Sequence, residues 1–117
     1  MNTIIAIQKW FQEQCNGEWE QQRTGIKIET CDNPCWWVKI YIKGTTLENK
    51  PFEMVSYSVP QELINQALGL VKTPFTCAKP SSENWLMCYV KDNEFNGAGA
   101  PNKLEEILTI FLDWTKK

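Results

Sequence analysis

The side chains best able to do chemistry are five cysteines and a scatter of carboxylates, and no histidine accompanies them. Cys31 and Cys35 form a C-x3-C pair across Asp32-Asn33-Pro34, while Cys15, Cys77 and Cys88 lie far apart. A structural zinc site shows two close pairs of C-x2-C type, and a thioredoxin-like centre needs C-x-x-C opening a helix. The spacing fits neither, so no metal and no cofactor is expected, and Cys15, Cys77 and Cys88 read as small packed hydrophobes. Cys31 and Cys35 flank one turn and could approach disulfide distance. An odd cysteine count without a secretory signal nevertheless favours a reduced cytosolic chain with free thiols. The missing histidine removes Ser-His and Cys-His nucleophile pairs and His-ligated metals, and no catalytic residue is assigned.

Carboxylates gather at three places. Glu18 and Glu20 bracket Trp19, Asp32 sits at the tip of one expected hairpin, and Asp92 and Glu94 sit at a second. Such groups do acid-base work or hold a divalent ion when they converge, and are solvated loop residues when they do not. Glu beside an exposed Trp also suits a surface that plugs a basic partner, the ring giving buried area and the charges steering. The stretch NGAGAP, 96–101, lacks the Lys-Ser/Thr of a phosphate loop and the register of a dinucleotide fingerprint; it reads as a loop into a helix cap.

The elements that position these groups follow from periodicity. Residues 3–15 predict a helix with Ile4, Ile7 and Phe11 on one face and Trp10 at its border, stopped by Gly17. Residues 23–31 alternate with Ile26 and Ile28 on one side. Residues 36–43 put Trp36, Val38, Ile40 and Ile42 inward and Trp37, Lys39, Tyr41 and Lys43 outward, so the two runs predict an antiparallel hairpin. A less regular strand at 51–59 follows, then a short helix from Pro60 with Leu63, Ile64, Ala67, Leu68 and Val71 on one face. A strand at 85–91 places Leu86, Cys88 and Val90 opposite Trp85, Met87 and Tyr89. It turns tightly at Asp92-Asn93 into a partner ending at Gly97. Asn102 and Glu105 have capping-box spacing ahead of a final helix carrying Leu104, Ile107, Leu108, Phe111 and Leu112.

The order α-β-β-β-α-β-β-α predicts an α+β fold, an antiparallel sheet of hairpins or a meander packed with N-terminal and C-terminal helices. With 117 residues and 43% hydrophobic side chains, the chain is expected to form one domain over 1–117. A net charge of −2 with no basic stripe argues against nucleic acid and anionic lipid as partners. The opening MNTIIAIQKWFQEQ has no basic region and no cleavage site, and no stretch approaches a membrane span, so the expected compartment is the cytoplasm. Six tryptophans exceed what one small core needs, and some are expected at the surface. No feature of the sequence sets an oligomeric state.

Three blocks, QCNGEWEQ (14–21), GIKIETCDNPCWWVKIYIKGT (25–45) and WLMCYVKDNEFNGAGAPNKLEEILTIFLDW (85–114), together resemble the immunity protein 53 family of bacterial polymorphic toxin systems. The family pattern has C-[DN]-G-[DE]-W-E after a Trp-bearing helix, a G-[IV]-x-I-x-T-L-D-N-P-G-W hairpin, and a strand-then-helix end. Two residues depart from it. Cys31 stands for Leu, and Cys35 stands for a Gly that suggests positive φ, which Cys adopts at a cost of ~1 kcal/mol or more. The resemblance implies a non-enzymatic cytoplasmic protein that binds and neutralises a cognate toxin domain stoichiometrically; an acidic inhibitor suits a nuclease target. Glu18, Trp19, Glu20, Asp32, Asn33, Trp37, Asp92 and Glu94 are the candidate toxin-binding residues. The competing class is a small enzyme or ligand-binding domain working through a cysteine or the carboxylates, sulfur transfer being its most concrete form; its thiol would need a cation or helix N-terminus to lower its pKa.

Overall fold

In the computed structural model, residues 2–22, 25–31, 34–69 and 84–117 are described. Helix α1, Thr3–Gln14, starts where Asn2 Oδ1 accepts the amides of Ile4 at 2.8 Å and Ile5 at 3.4 Å, satisfying donors that have no partner within the helix. Its buried positions are Ile7 and Trp10, whereas Ile4 and Phe11 are exposed, so the contact stripe is rotated from the expected face. Gly17, at φ +92°, lets the chain leave the helix.

A one-turn helix that periodicity did not predict, α2 (Trp19–Gln22), follows at once. Asn16 Oδ1 accepts the amides of Glu18 and Trp19, and the Glu20 carboxylate reaches back to the amides of Asn16 and Gly17. Four residues are too few for an apolar period to show, and this reciprocal capping is what holds the turn.

Five strands form one antiparallel sheet: β1 (Ile26–Cys31), β2 (Cys35–Tyr41), β3 (Val55–Tyr57), β4 (Leu86–Lys91) and β5 (Glu94–Gly99), in the order β1-β2-β5-β4-β3. The β1–β2 and β4–β5 hairpins lie side by side, with β5 next to β2. The third strand is only three residues long and sits at the far edge. Two further elements are α3, Gln61–Ala67, whose first bonds go to the Pro60 carbonyl, and α4, Leu104–Thr115.

Helices α1 and α4 run parallel on one side of the sheet: Thr3 Oγ1 donates to Glu105, and Trp10 stacks edge-on against Phe111 at 4.9 Å. Beneath them lie Val38, Ile40, Leu86, Cys88 and Phe95, all fully buried. Strand β5 runs on to Gly99 rather than ending at Gly97, so NGAGAP is mostly strand. A Cβ on Gly97 would stand 2.4 Å from Ile107 Cγ2, so glycine there is what lets α4 settle onto the strand. The N-cap of α4 is Lys103, one residue beyond the expected Asn102, and its side chain makes no cap bond.

The hairpin corrects two expectations. Cys31 and Cys35 are register partners with Cα atoms 4.9 Å apart and are joined by a disulfide, so they are not free thiols. Cys35 lies in β2 and is not among the positive-φ residues, so the strain expected at that position is absent. Cys88 is buried as expected, but Cys15 is exposed at the end of α1. Cys77 and Val71 fall outside the described residues. The tryptophans are also more structural than expected: Trp10, Trp19, Trp85 and Trp114 are buried, and only the neighbours Trp36 and Trp37 are half-buried.

Candidate functional site

Side chains alternate across a strand, so the same pairing that builds the helix-covered core lines up a second set on the other side. There Trp37 opposes Ala98, Lys39 opposes Asn96, and Asn96 opposes Tyr89 across the next strand. Large side chains on β2 and β4 thus stand either side of a central strand carrying Asn96 and Ala98. Bulky walls and a low floor make a trough. Trp37, Lys39, Tyr89, Lys91, Asp92, Glu94 and Asn96 line a cleft of about 510 Å³. Among the described residues, helix α3 covers one flank, where Met87 and Tyr89 pack with Met54, Val59, Ile64 and Leu68.

The far end of this side is closed by a second cluster of Cys35, Trp85, Ala98 and Ala100, with Cys31 packed against it. The disulfide is therefore part of the end wall. At the opposite end, Asp92 and Asn93 have φ of +54° and +62°, the pair of left-handed residues that a two-residue hairpin turn requires and that Asp and Asn tolerate. The Asn93 carbonyl accepts the Ile42 amide at 3.0 Å, which ties the turn to the end of β2 and fixes the acidic lip.

Charge within the trough is balanced. Lys39 Nζ lies 4.7 Å over the Trp37 ring, and Lys91 stands opposite Glu94 across the hairpin. Asn96 is the one buried polar side chain among the described residues, and its amide donates to the Glu94 carbonyl at 3.2 Å. Burial pushes the Tyr89 phenol up from its ordinary value, and the Glu94 charge adds to this, so Tyr89 is a neutral hydrogen-bonding group at physiological pH. The lining offers an aromatic face, cationic and neutral donors, and anionic acceptors, but no nucleophile beside a base. Among the described residues no three Cys, Asp or Glu side chains converge as a metal site would require.

The candidate residues divide. Trp37, Asp92 and Glu94 come together in the trough. The Glu18-Trp19-Glu20 segment does not join them. Trp19 is 2% exposed, packed edge-on against Trp10 and Phe11 and against Gly25, and its ring presents no area to a partner. The Glu20 carboxylate accepts from the backbone amides of Asn16 and Gly17, and Glu18 remains exposed. Asp32 and Asn33 lie outside the described residues. Lys39, Tyr89, Lys91 and Asn96 were not expected. Alternation puts each on the side of Trp37, but only the β2–β5–β4 order makes them neighbours.

At Cys31, Cys35 and Cys88 thiol chemistry finds little footing. Burial, aided by the Glu106 charge, pushes the Cys88 thiol up to about 12, so it keeps its proton, and Cys31 and Cys35 are bonded to each other. Among the described residues no helix is long and apolar enough to cross a membrane.

No curated protein and no solved structure matches the chain. A family model does: residues 4–116 match immunity protein 53, and the chain belongs to that family.

Proposed function

We propose that this immunity protein binds a cognate bacterial toxin domain in the trough beside β5 and neutralises it by occupying the toxin's surface, one molecule to one. The observation that carries the proposal is the convergence of Trp37, Asp92 and Glu94, from two different hairpins, on one concave side of the sheet, where among the described residues α3 packs on one flank. Concavity gives a partner side chain a desolvated seat, and Trp and Tyr supply area with little rotamer entropy to lose. Balanced charge sets orientation: a partner group entering between Lys39 and Glu94 meets an attractive side only in one register. Inhibition of this kind needs no turnover, and no residue here is given a catalytic role. The proposed compartment is the bacterial cytoplasm, where the toxin would act. A nuclease remains the target class that an acidic inhibitor suits best.

The test is titration calorimetry against a toxin domain, sought in the gene beside the one for this chain. Trp37→Ala and Glu94→Arg should each weaken binding at least roughly thirtyfold, or about 2 kcal/mol, while Glu18→Ala should leave it unchanged. Affinity that survives both trough substitutions in folded protein overturns the assignment.

A further inference from the structure

The two edges of the sheet are built differently. Strand β3 closes one edge with three residues; it is followed by Ser58 at φ +57° and then Pro60, which blunt it against further pairing. Strand β1 forms the other edge with six residues, no proline and no left-handed residue, and its last rung is tied by the disulfide. Among the described residues no strand lies beyond it.

The side chains of β1 show the same openness. Sequence periodicity placed Ile26 and Ile28 together toward the core, but only Ile26 packs there; Ile28 is 41% exposed although it pairs with the fully buried Val38. The sheet extends one strand beyond what α1 and α4 cover. Phe11, also exposed, lies against Gly25 just ahead of β1.

The direction of the free backbone groups follows from one bond. Tyr41 N–H donates to the Gly25 carbonyl at 2.8 Å, so Gly25 faces β2. Backbone groups in an antiparallel strand alternate sides, so Lys27, Glu29 and Cys31 also face β2, and Ile26, Ile28 and Thr30 turn their N–H and C=O outward. An antiparallel copy of β1 centred on Ile28 would therefore set Ile28 opposite Ile28 and Ile26 opposite Thr30, in hydrogen-bonded rungs. On the trough side the same register sets Lys27 opposite Glu29 of the copy and Glu29 opposite Lys27. Backbone direction, the apolar stripe and charge order all become complementary in one two-fold register, as an isologous interface demands.

We infer that β1 is a dimerisation edge, at which a second copy of this chain continues the sheet through a two-fold axis at Ile28. Lys27 and Glu29 already pair at 3.6 Å within one chain, and the dimer converts this pair into a ring of four alternating charges. The interface lies outside the trough lining, so both troughs of the dimer stay available.

Sedimentation velocity over a concentration series into the hundred-micromolar range tests this. Wild-type protein should pass from monomer to dimer. Ile28→Pro removes an outward N–H and no bond to β2, so it should keep the monomer's fold by circular dichroism and abolish the dimer. Lys27→Glu and Glu29→Lys should each weaken dimerisation roughly tenfold by placing like charges together, and the double variant should restore it. Monomer at every concentration, or a dimer indifferent to Ile28→Pro and to the charge set, overturns the inference. A monomeric protein whose toxin affinity falls with Ile28→Pro overturns it in favour of a partner strand.

Discussion

On the helix-covered side of β5 stand Phe95, Gly97 and Gly99; on the other stand Glu94, Asn96 and Ala98. The first set is graded for contact. Phe95 stacks on Phe111 at 5.1 Å and on Phe52 at 5.6 Å, while the glycines let Ile107 approach the backbone. Among the described residues, the second set meets no helix over the trough. Its short side chains leave a hollow between Trp37 and Tyr89. A single strand thus carries the fold on one side and the proposed recognition on the other, and six consecutive residues hold the two jobs apart by alternation alone.

The largest expected effect lies on the packed side. Phe111 is fully buried and meets Trp10, Phe95 and Trp114. Phe111→Ala should destabilise by ~3–5 kcal/mol in urea unfolding. Gly97→Ala comes next. Its new methyl would overlap Ile107 Cγ2, and a loss of ~1–3 kcal/mol is expected. Ile107→Ala removes the overlapping carbon, so the double variant should fall short of the summed losses; strict additivity would show that the contact does not govern this side.

Alternation is why so much of this was legible. The faces of β2 and β4 and the Asp92-Asn93 turn follow from period and turn chemistry, and Trp37 was placed opposite Trp36 from spacing alone. Strand order was not legible, because two hairpins with correct internal faces can be laid side by side in several ways. With it went the recognition that Lys39, Asn96 and Tyr89 share a wall and floor. Trp19 was misplaced for a different reason. Its loop composition suggests a surface, but Asn16 and Glu20 fold that loop into α2, which turns the ring between α1 and Gly25. Its indole N–H has no partner among the described residues, so apolar contact alone accounts for its place. The disulfide was half legible: C-x3-C across a turn permits it, and only the in-register rung brings the two sulfurs together.

The covered side should also contribute alkali sensitivity, beside that of the raised Tyr89 phenol on the trough side. Burial first, then the Glu106 charge, raises the Cys88 thiol from 9.0 to about 12. Burial, then the Tyr57 hydroxyl's bond to Glu106, raises Tyr57 from 10.0 to about 12. Both groups are neutral when folded and ionise more easily when unfolded. Their contribution is therefore complete below pH 9 and is lost progressively from there toward pH 12. Unfolding free energy measured across that range should decline, and Cys88→Ala with Tyr57→Phe should flatten the decline.

The smallest effect on stability belongs to the trough. Trp37 is half-buried, and one of its contacts is Lys39 over the ring, an interaction worth ~0.5–1 kcal/mol at an exposed site. Trp37→Ala should therefore cost about 1 kcal/mol in unfolding while removing most of the toxin affinity. Lys39→Met isolates the cation, because it keeps the packing stem and drops only the charge. If Trp37→Ala instead destabilised the chain as much as Phe111→Ala, the ring would be holding the sheet together. The two sides of β5 would then share one job, and loss of toxin affinity in that variant would report unfolding rather than recognition.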